Sequence, residues 1–334
     1  MWQRCQRWGL QYVALLIVVP ALSGLLLLVP GQRQSQPGMV CVRLGYSPNL
    51  AHMQALVGLT EGTFIDQLGR GATIVPRALE AEDDIVAALQ AGDLDLAYVG
   101  PAPAIAGYQQ RRALRVIAGA ATGGSRLVAR KEVRGLADLL GRRVVVPPGS
   151  TEEVLLRALL RQERMTGRVT VTTAAGQGLI AAFSSGKADA ACVPEPWASR
   201  LVQEAGARVL LDDRQVCGGR EYPAACVVAS DAFLRDHADL ARRWLAAHRE
   251  LTDRLQRREP GDMIALNAAL RGLTGKALPG SALFAAARRI HCTTDPMPAG
   301  LEALGKVAWQ AGCLTAPPNL QGLVAPPPSR CRVP

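Results

Sequence analysis

Two stretches of the chain, residues 88–105 (ALQAGDLDLAYVGPAPAI) and 182–199 (AFSSGKADAACVPEPWAS), superimpose without a gap at an offset of 94. Gly92 falls on Gly186, Asp95 on Asp189, Ala97 on Ala191 and Val99 on Val193. Each stretch reads as a helix that ends at a Gly, a buried strand opened by an Asp three residues later, and a Pro-containing turn that begins the next helix. Gly closes a helix in the left-handed conformation at no steric cost, and Pro is tolerated at the first position of the next one. One supersecondary device used twice predicts a fold of two similar halves.

The surrounding pattern agrees. Short β-rich runs at 41–45, 72–77, 94–99 and 114–119 alternate with helical patterns at 50–59, 80–90 and 102–110. The alternation then restarts, with strands at 142–146, 168–172, 188–193 and 208–211 and helices at 151–164, 179–184 and 197–205. This is the βαβ rhythm of mostly parallel, helix-covered sheets, an α/β fold. After a strand at 222–229 the periodicity becomes helical, near 237–255, 263–273, 281–290 and 301–312. The last 18 residues carry Pro317, Pro318, Pro326, Pro327 and Pro328 and read as a loosely packed tail. At 334 residues the chain exceeds the roughly 250–300 at which one core usually divides, which again favours two lobes. With 49% hydrophobic and 20% charged residues, intrinsic disorder and a multi-span membrane protein are excluded.

Charge and the amino terminus bear on compartment and partners. The net charge is +10, of which three units come from Arg4, Arg7 and Arg33, and the rest is scattered without the aromatic-interleaved basic stripe of a nucleic-acid surface. Arg4 and Arg7 precede a mostly apolar run at 13–29, which predicts export. The run is long for a signal-peptide core and short for a comfortable membrane helix, so a cleaved leader and a retained anchor with linker, over residues 1–38, both stay open. The positive-inside rule then places the body outside the inner membrane, in the periplasm, soluble or tethered. Of the eight cysteines, seven follow Cys5, and an odd number leaves at least one thiol unpaired within the chain. Cys217 with Cys226 and Cys313 with Cys331 are spaced to close loops as disulfides, although sequence fixes no connectivity. Cys41 and Cys192 sit in apolar strand-like runs and read as buried thiols. No Cys-x2-Cys spacing occurs, and no metal or cofactor is expected.

In open α/β sheets, ligands bind beyond the carboxyl ends of the strands. The segments that follow the strands here share one chemistry: Tyr46-Ser47-Pro48-Asn49, Gly100-Pro101-Ala102-Pro103, Thr122-Gly123-Gly124-Ser125, Pro148-Gly149-Ser150-Thr151 and Glu195-Pro196-Trp197. They contain Gly, Pro and small hydroxyl residues, with almost no Lys, Arg or His. Several feed into helix N-termini, where free N–H groups and the helix dipole favour an anion. A helix terminus supplies about 0.3–1 kcal/mol, against about 8 for micromolar affinity, so several loops have to converge. Ser150 with Glu153 also forms a capping box that satisfies the same terminus without a ligand.

The segments VRLGYSPNLAHMQALVG, AGDLDLAYVGPAPAI, AGAATGGSRLVAR, DLLGRRVVVPPGST and ACVPEPWASRL, in this order and spacing, resemble the substrate-binding proteins of nitrate, taurine and aliphatic sulfonate ABC importers. The resemblance covers residues 40–314. It implies a type II periplasmic-binding-protein fold with a ligand cleft between two lobes: lobe I discontinuous over 40–124 and 230–314, lobe II over 125–229 with crossing strands at 125–130 and 222–229, and the Pro-rich tail at 315–334. It further implies ligand contacts from Ser47 and Asn49, Gly100 and Pro101, Thr122, Gly123 and Gly124, Ser150 and Thr151, and Glu195 with Trp197. Trp197 opens an amphipathic helix and equally suits the core. Glu195 suits a guest that carries an amine as well as an oxyanion, or else a solvated helix start. Gln177 and His52 are weaker candidates for the cleft.

The expected function is therefore delivery of a small anion or zwitterion to an ABC transporter permease by a monomeric receptor, without chemistry and without nucleic-acid partners. Two alternatives remain: a desulfinase-like enzyme on the same fold using Cys192, and an anchored sensory ectodomain. The cysteines at 217, 226, 292, 313 and 331 and the Pro-rich tail depart from the family pattern.

Overall fold

The computed structural model describes residues 38–326. The apolar run at 13–29, Cys5 and Cys331 lie outside the described residues.

Eleven strands are described: β1 (Val40–Tyr46), β2 (Ala72–Ala78), β3 (Leu96–Val99), β4 (Leu114–Gly123), β5 (Ser125–Ala129), β6 (Arg143–Val146), β7 (Thr170–Thr173), β8 (Ala190–Pro194), β9 (Arg208–Leu211), β10 (Pro223–Ser230) and β11 (Ile290–Cys292). They form two sheets. One has the order β11-β4-β10-β3-β1-β2 and the other β7-β6-β8-β5-β9. The cores are parallel (β1 with β2 and β3, β6 with β7 and β8), and the antiparallel members are β10 and β11 in the first sheet and β5 in the second. The chain passes between the sheets at Gly124, which joins β4 to β5, and again over residues 212–222, which join β9 to β10. Gly124 has φ +91°, a left-handed conformation that Gly adopts without a Cβ penalty.

The internal repeat has a structural counterpart. Gly92 and Gly186, with φ of 83° and 77°, both end their helices in the left-handed conformation. Asp95 accepts the backbone N–H of Arg43 at 2.8 Å, and Asp189 accepts that of Arg143 at 3.0 Å. Each Arg also reaches back to the carbonyl of the helix-ending Gly, Arg43 to Gly92 and Arg143 to Gly186. In both sheets one Asp thus fastens the amino end of a central strand to its neighbour. Asp95→Ala orphans the Arg43 N–H and is expected to cost about 1–3 kcal/mol in urea denaturation; a loss below about 0.5 kcal/mol would show that water replaces the carboxylate.

Returning helices complete the first sheet's core. Helix Ala238–Leu255 lays Trp244 on Phe64 of helix Thr63–Leu68, with ring centroids 3.9 Å apart and planes within 6°. On the same helix, the fully buried His248 bonds to Tyr98 Oη through Nδ1 (2.9 Å) and to Gly119 O through Nε2 (2.8 Å). Burial holds its pKa down at about 4, so the ring is neutral and donates from Nε2 to the carbonyl.

Two expectations are corrected. Residues 323–325 of the tail are not loose: Val116 N–H donates to Leu323 O, Ala325 N–H donates to Val116 O, and Leu323 is fully buried. Cys217 and Cys226 do not form a disulfide with each other. Cys226 lies fully buried in the middle of β10, donating to Val99 O, whereas Cys217 follows the short helix Asp213–Val216.

Candidate functional site

Strands β1, β3 and β4 run parallel, as do β6 and β8, so the loops at their carboxyl ends gather the predicted residues. Ser47 follows β1 and is buried. Its N–H donates to His52 Nδ1 at 3.1 Å, and its hydroxyl donates to Glu82 Oε1 at 3.3 Å. Asn49 caps the short helix Leu50–His52 by accepting Ala51 N–H at 2.8 Å, and its side chain also hydrogen-bonds Glu82. Gly100, the N-cap of helix Pro101–Gln110, donates its N–H to Glu82 Oε2 at 2.6 Å. A Cβ at Gly100 would lie 2.7 Å from Glu82 Oε2 and 2.9 Å from Thr151 Oγ1, so the absence of a side chain lets three elements meet here. Pro101 occupies the first helical position and is buried.

The second sheet contributes from the other side. Thr151 Oγ1 accepts the N–H of Ala102 at 3.3 Å. Ser150 caps helix Thr151–Gln162 by accepting Glu153 N–H at 3.2 Å, one half of the expected capping box, while the Glu153 carboxylate takes the N–H of Gly149 at 3.0 Å in place of that of Ser150. Glu152, in the first turn of that helix, accepts the Ser125 hydroxyl at 2.7 Å. Glu195 is fully buried. Its N–H donates to Gly124 O (3.0 Å), its carbonyl accepts Leu50 N–H (2.9 Å), and its carboxylate takes Arg289 at 2.6 Å and Ser199 N–H at 3.0 Å.

Ser47, Asn49, Gly100, Ser150, Thr151, Gly124 and Glu195 are therefore brought into one network of loops. Thr122 and Gly123 lie apart from it, paired with His291 and Ile290 of β11 and bordering a separate cavity of about 270 Å³ with Arg214, Arg220 and Tyr222. Trp197 packs into the second sheet's core with Leu179, Phe183 and Leu201, and the Arg200 guanidinium stands 5.0 Å over its ring. Gln177 donates to Thr274 O and accepts from Arg200, away from the cluster. His52 is fully buried within it, and desolvation lowers its pKa to about 3.

Sequence reasoning missed Glu82, Glu152, Ser199 and Arg289, and it placed Ser125 in a candidate loop without assigning it a contact. The two acids open helices, where Glu is favoured in any case, and so carry no signal. Arg289 reaches Glu195 only through the tertiary fold. It adds a formal cation to a site expected to rely on main-chain dipoles. The Cys192 thiol is fully buried, and desolvation raises its pKa well above the usual value, so nucleophilic thiolate is scarce at neutral pH. Among the described residues no cluster of His, Cys, Asp or Glu is arranged to hold a metal ion, and no helix is long and apolar enough to cross a membrane.

Two helix-covered sheets joined at two crossings, with polar loops converging from the carboxyl ends of both, define the fold of the periplasmic solute-binding proteins. The chain belongs to the NMT1-like family, which matches residues 35–268. It is 32% identical to the taurine-binding periplasmic protein of Escherichia coli over 165 residues, 48% of this chain and 50% of that protein. The chain spans about half the length of the curated relatives it matches. In structure it is similar to the alkanesulfonate-binding protein of Xanthomonas axonopodis pv. citri bound to MOPS (TM-score 0.74, 18% identity, 87% of this chain and 99% of that one). It is also similar to the periplasmic nitrate-binding protein of Synechocystis (TM-score 0.70, 12% identity, 83% of each chain). The type II fold and the resemblance carried by the five segments are borne out.

Proposed function

We propose that this chain is an exported receptor that captures a small oxyanion solute, of the sulfonate, taurine or nitrate class, and delivers it to an ABC importer permease. In this reading, residues 40–124 and 230–314 form one lobe, residues 125–229 the other, and the solute is held between them by Ser47, Asn49, Gly100, Gly124, Ser150, Thr151 and Glu195. The observation that carries the reading is the convergence of helix starts from both sheets on one buried polar cluster. Helices Pro101–Gln110 and Thr151–Gln162 begin side by side, joined through Ala102 N–H and Thr151 Oγ1. Charge-assisted hydrogen bonds of about 1.5–3 kcal/mol each then add up where water is excluded. The relatives named above support the solute class. The buried, poorly ionised Cys192 gives the enzymatic alternative no nucleophile.

Isothermal calorimetry against taurine, alkanesulfonates of two to eight carbons, nitrate and phosphonates tests the proposal. One ligand binding at micromolar affinity or tighter is expected; a flat response across the panel would remove the solute class.

A further inference from the structure

We infer that the cavity at the second crossing between the sheets is a site for a small tetrahedral oxyanion, free phosphate or sulfate, separate from the loop network shared by Ser47, Gly100 and Thr151. It stands on other residues than the receptor reading does, and either can fail without the other.

The cavity of about 270 Å³ lies where the crossing over residues 212–222 meets the edge of the first sheet. Thr122 of β4 and His291 of β11 supply one wall. They are paired across the two strands, so both side chains stand on the same face. Arg214, Arg220 and Tyr222 of the crossing supply the other wall.

Two kinds of unmet bonding capacity coincide here. Thr122 is 5% exposed and Tyr222 6% exposed, yet neither hydroxyl has a hydrogen-bond partner among the described residues. Neither oxygen is sealed from solvent, and the cavity is the space that both residues line. The guanidinium groups of Arg214 and Arg220 have no ion-pair or hydrogen-bond partner among the described residues either. Glu221 is the one carboxylate on the lining, so the two arginines leave it positive before His291 is counted.

Polar side chains this deeply buried are ordinarily bonded. Water would satisfy the two hydroxyls and leave the guanidinium charges unbalanced. A tetrahedral oxyanion meets both needs: its oxygens accept from Thr122 Oγ1 and Tyr222 Oη, and its charge offsets the arginines, whose planar forks suit such oxygens. An ion held there ties the crossing to β4 and β11, and so stiffens one of the two places where the chain passes between the sheets.

Calorimetry on the full chain with sodium phosphate and sodium sulfate, at ionic strength held constant with sodium chloride, tests the site. At least one of the two ions is expected to bind saturably, at about millimolar affinity or tighter. Arg214→Gln with Arg220→Gln is expected to weaken it about tenfold or more. Both arginines are exposed, so this variant is expected to melt with the wild type in chloride. Thr122→Val and Tyr222→Phe, which each remove the hydroxyl function and little else, are expected to weaken binding about threefold each. Because the loop network also suits an oxyanion, Ser150→Ala with Thr151→Val serves as the control and is expected to change the affinity by less than about twofold. No saturable binding of either ion, an affinity that survives the double arginine variant or both hydroxyl variants, or a loss confined to the Ser150 and Thr151 variant would overturn the inference. The receptor reading stands in each of those cases, since it is decided by the sulfonate, taurine and nitrate panel.

Discussion

Arg289→Ala is expected to lower the thermal unfolding midpoint by roughly 10 °C, the largest effect of any single change at the site. Glu195 is fully buried, and its carboxylate is balanced by Arg289 Nη2 at 2.6 Å and Nε at 3.1 Å. Without the guanidinium, the carboxylate keeps only the Ser199 N–H. Breaking a buried ion pair from one side costs about 3–5 kcal/mol, because the remaining charge stays desolvated. In a domain of this size each kcal/mol corresponds to about 2–4 °C. Arg289 precedes β11 of the first sheet and Glu195 follows β8 of the second, so the pair also ties the two sheets together. The double variant Arg289→Ala with Glu195→Gln is expected to regain much of the loss, since it removes the orphaned charge. A single variant that melts with the wild type would show that Glu195 finds another partner.

Trp244→Ala is expected to cost about 3–5 kcal/mol in urea denaturation, the usual penalty for truncating a buried aromatic residue, with the stacking on Phe64 contributing about 0.5–1.5 kcal/mol of it. Trp244 is fully buried between the first sheet and the helices that return to it. Gly58 sits against the same cluster, where a Cβ would meet Phe64 and Leu251 at 2.5 Å, so the packing has no slack to refill a cavity. Trp244→Phe retains the stack and is expected to lose less than half as much. A midpoint for Trp244→Ala within error of the wild type would place this helix outside the cooperative core.

The strands and most helices were legible because their signals are local: alternation, a helix-ending Gly, a Pro at the first helical position. Helix Thr63–Leu68 was not, since Gly62 breaks it from the preceding helix and six residues are too few to show a period. β11 was read as the end of a helix. Its three residues become a strand by pairing with β4, which is a tertiary effect. At the site, the loops announced themselves by following strands, and Ser150 by its capping box. Trp197 was legible as a helix start, and its burial among Leu179, Phe183 and Leu201 was the core placement open to it from the start. Thr122 and Gly123 could not be separated from Gly124 by composition, and only the pairing with β11 sets them apart. Arg289 and Glu195 are 94 residues apart, and nothing in either local sequence announces the pair.

The twin Asp clasps, Asp95 on Arg43 and Asp189 on Arg143, lie at the amino ends of β3 and β8, away from the loops that converge at the carboxyl ends. Each half therefore locks its own strand register without borrowing from the other. Any rotation of one half against the other must be absorbed by torsions at Gly124 and along residues 212–222, and neither sheet has to shear. Strand register in each sheet is thereby independent of the contacts made between the sheets, so a substitution in the loops of one sheet leaves the ladder of the other intact.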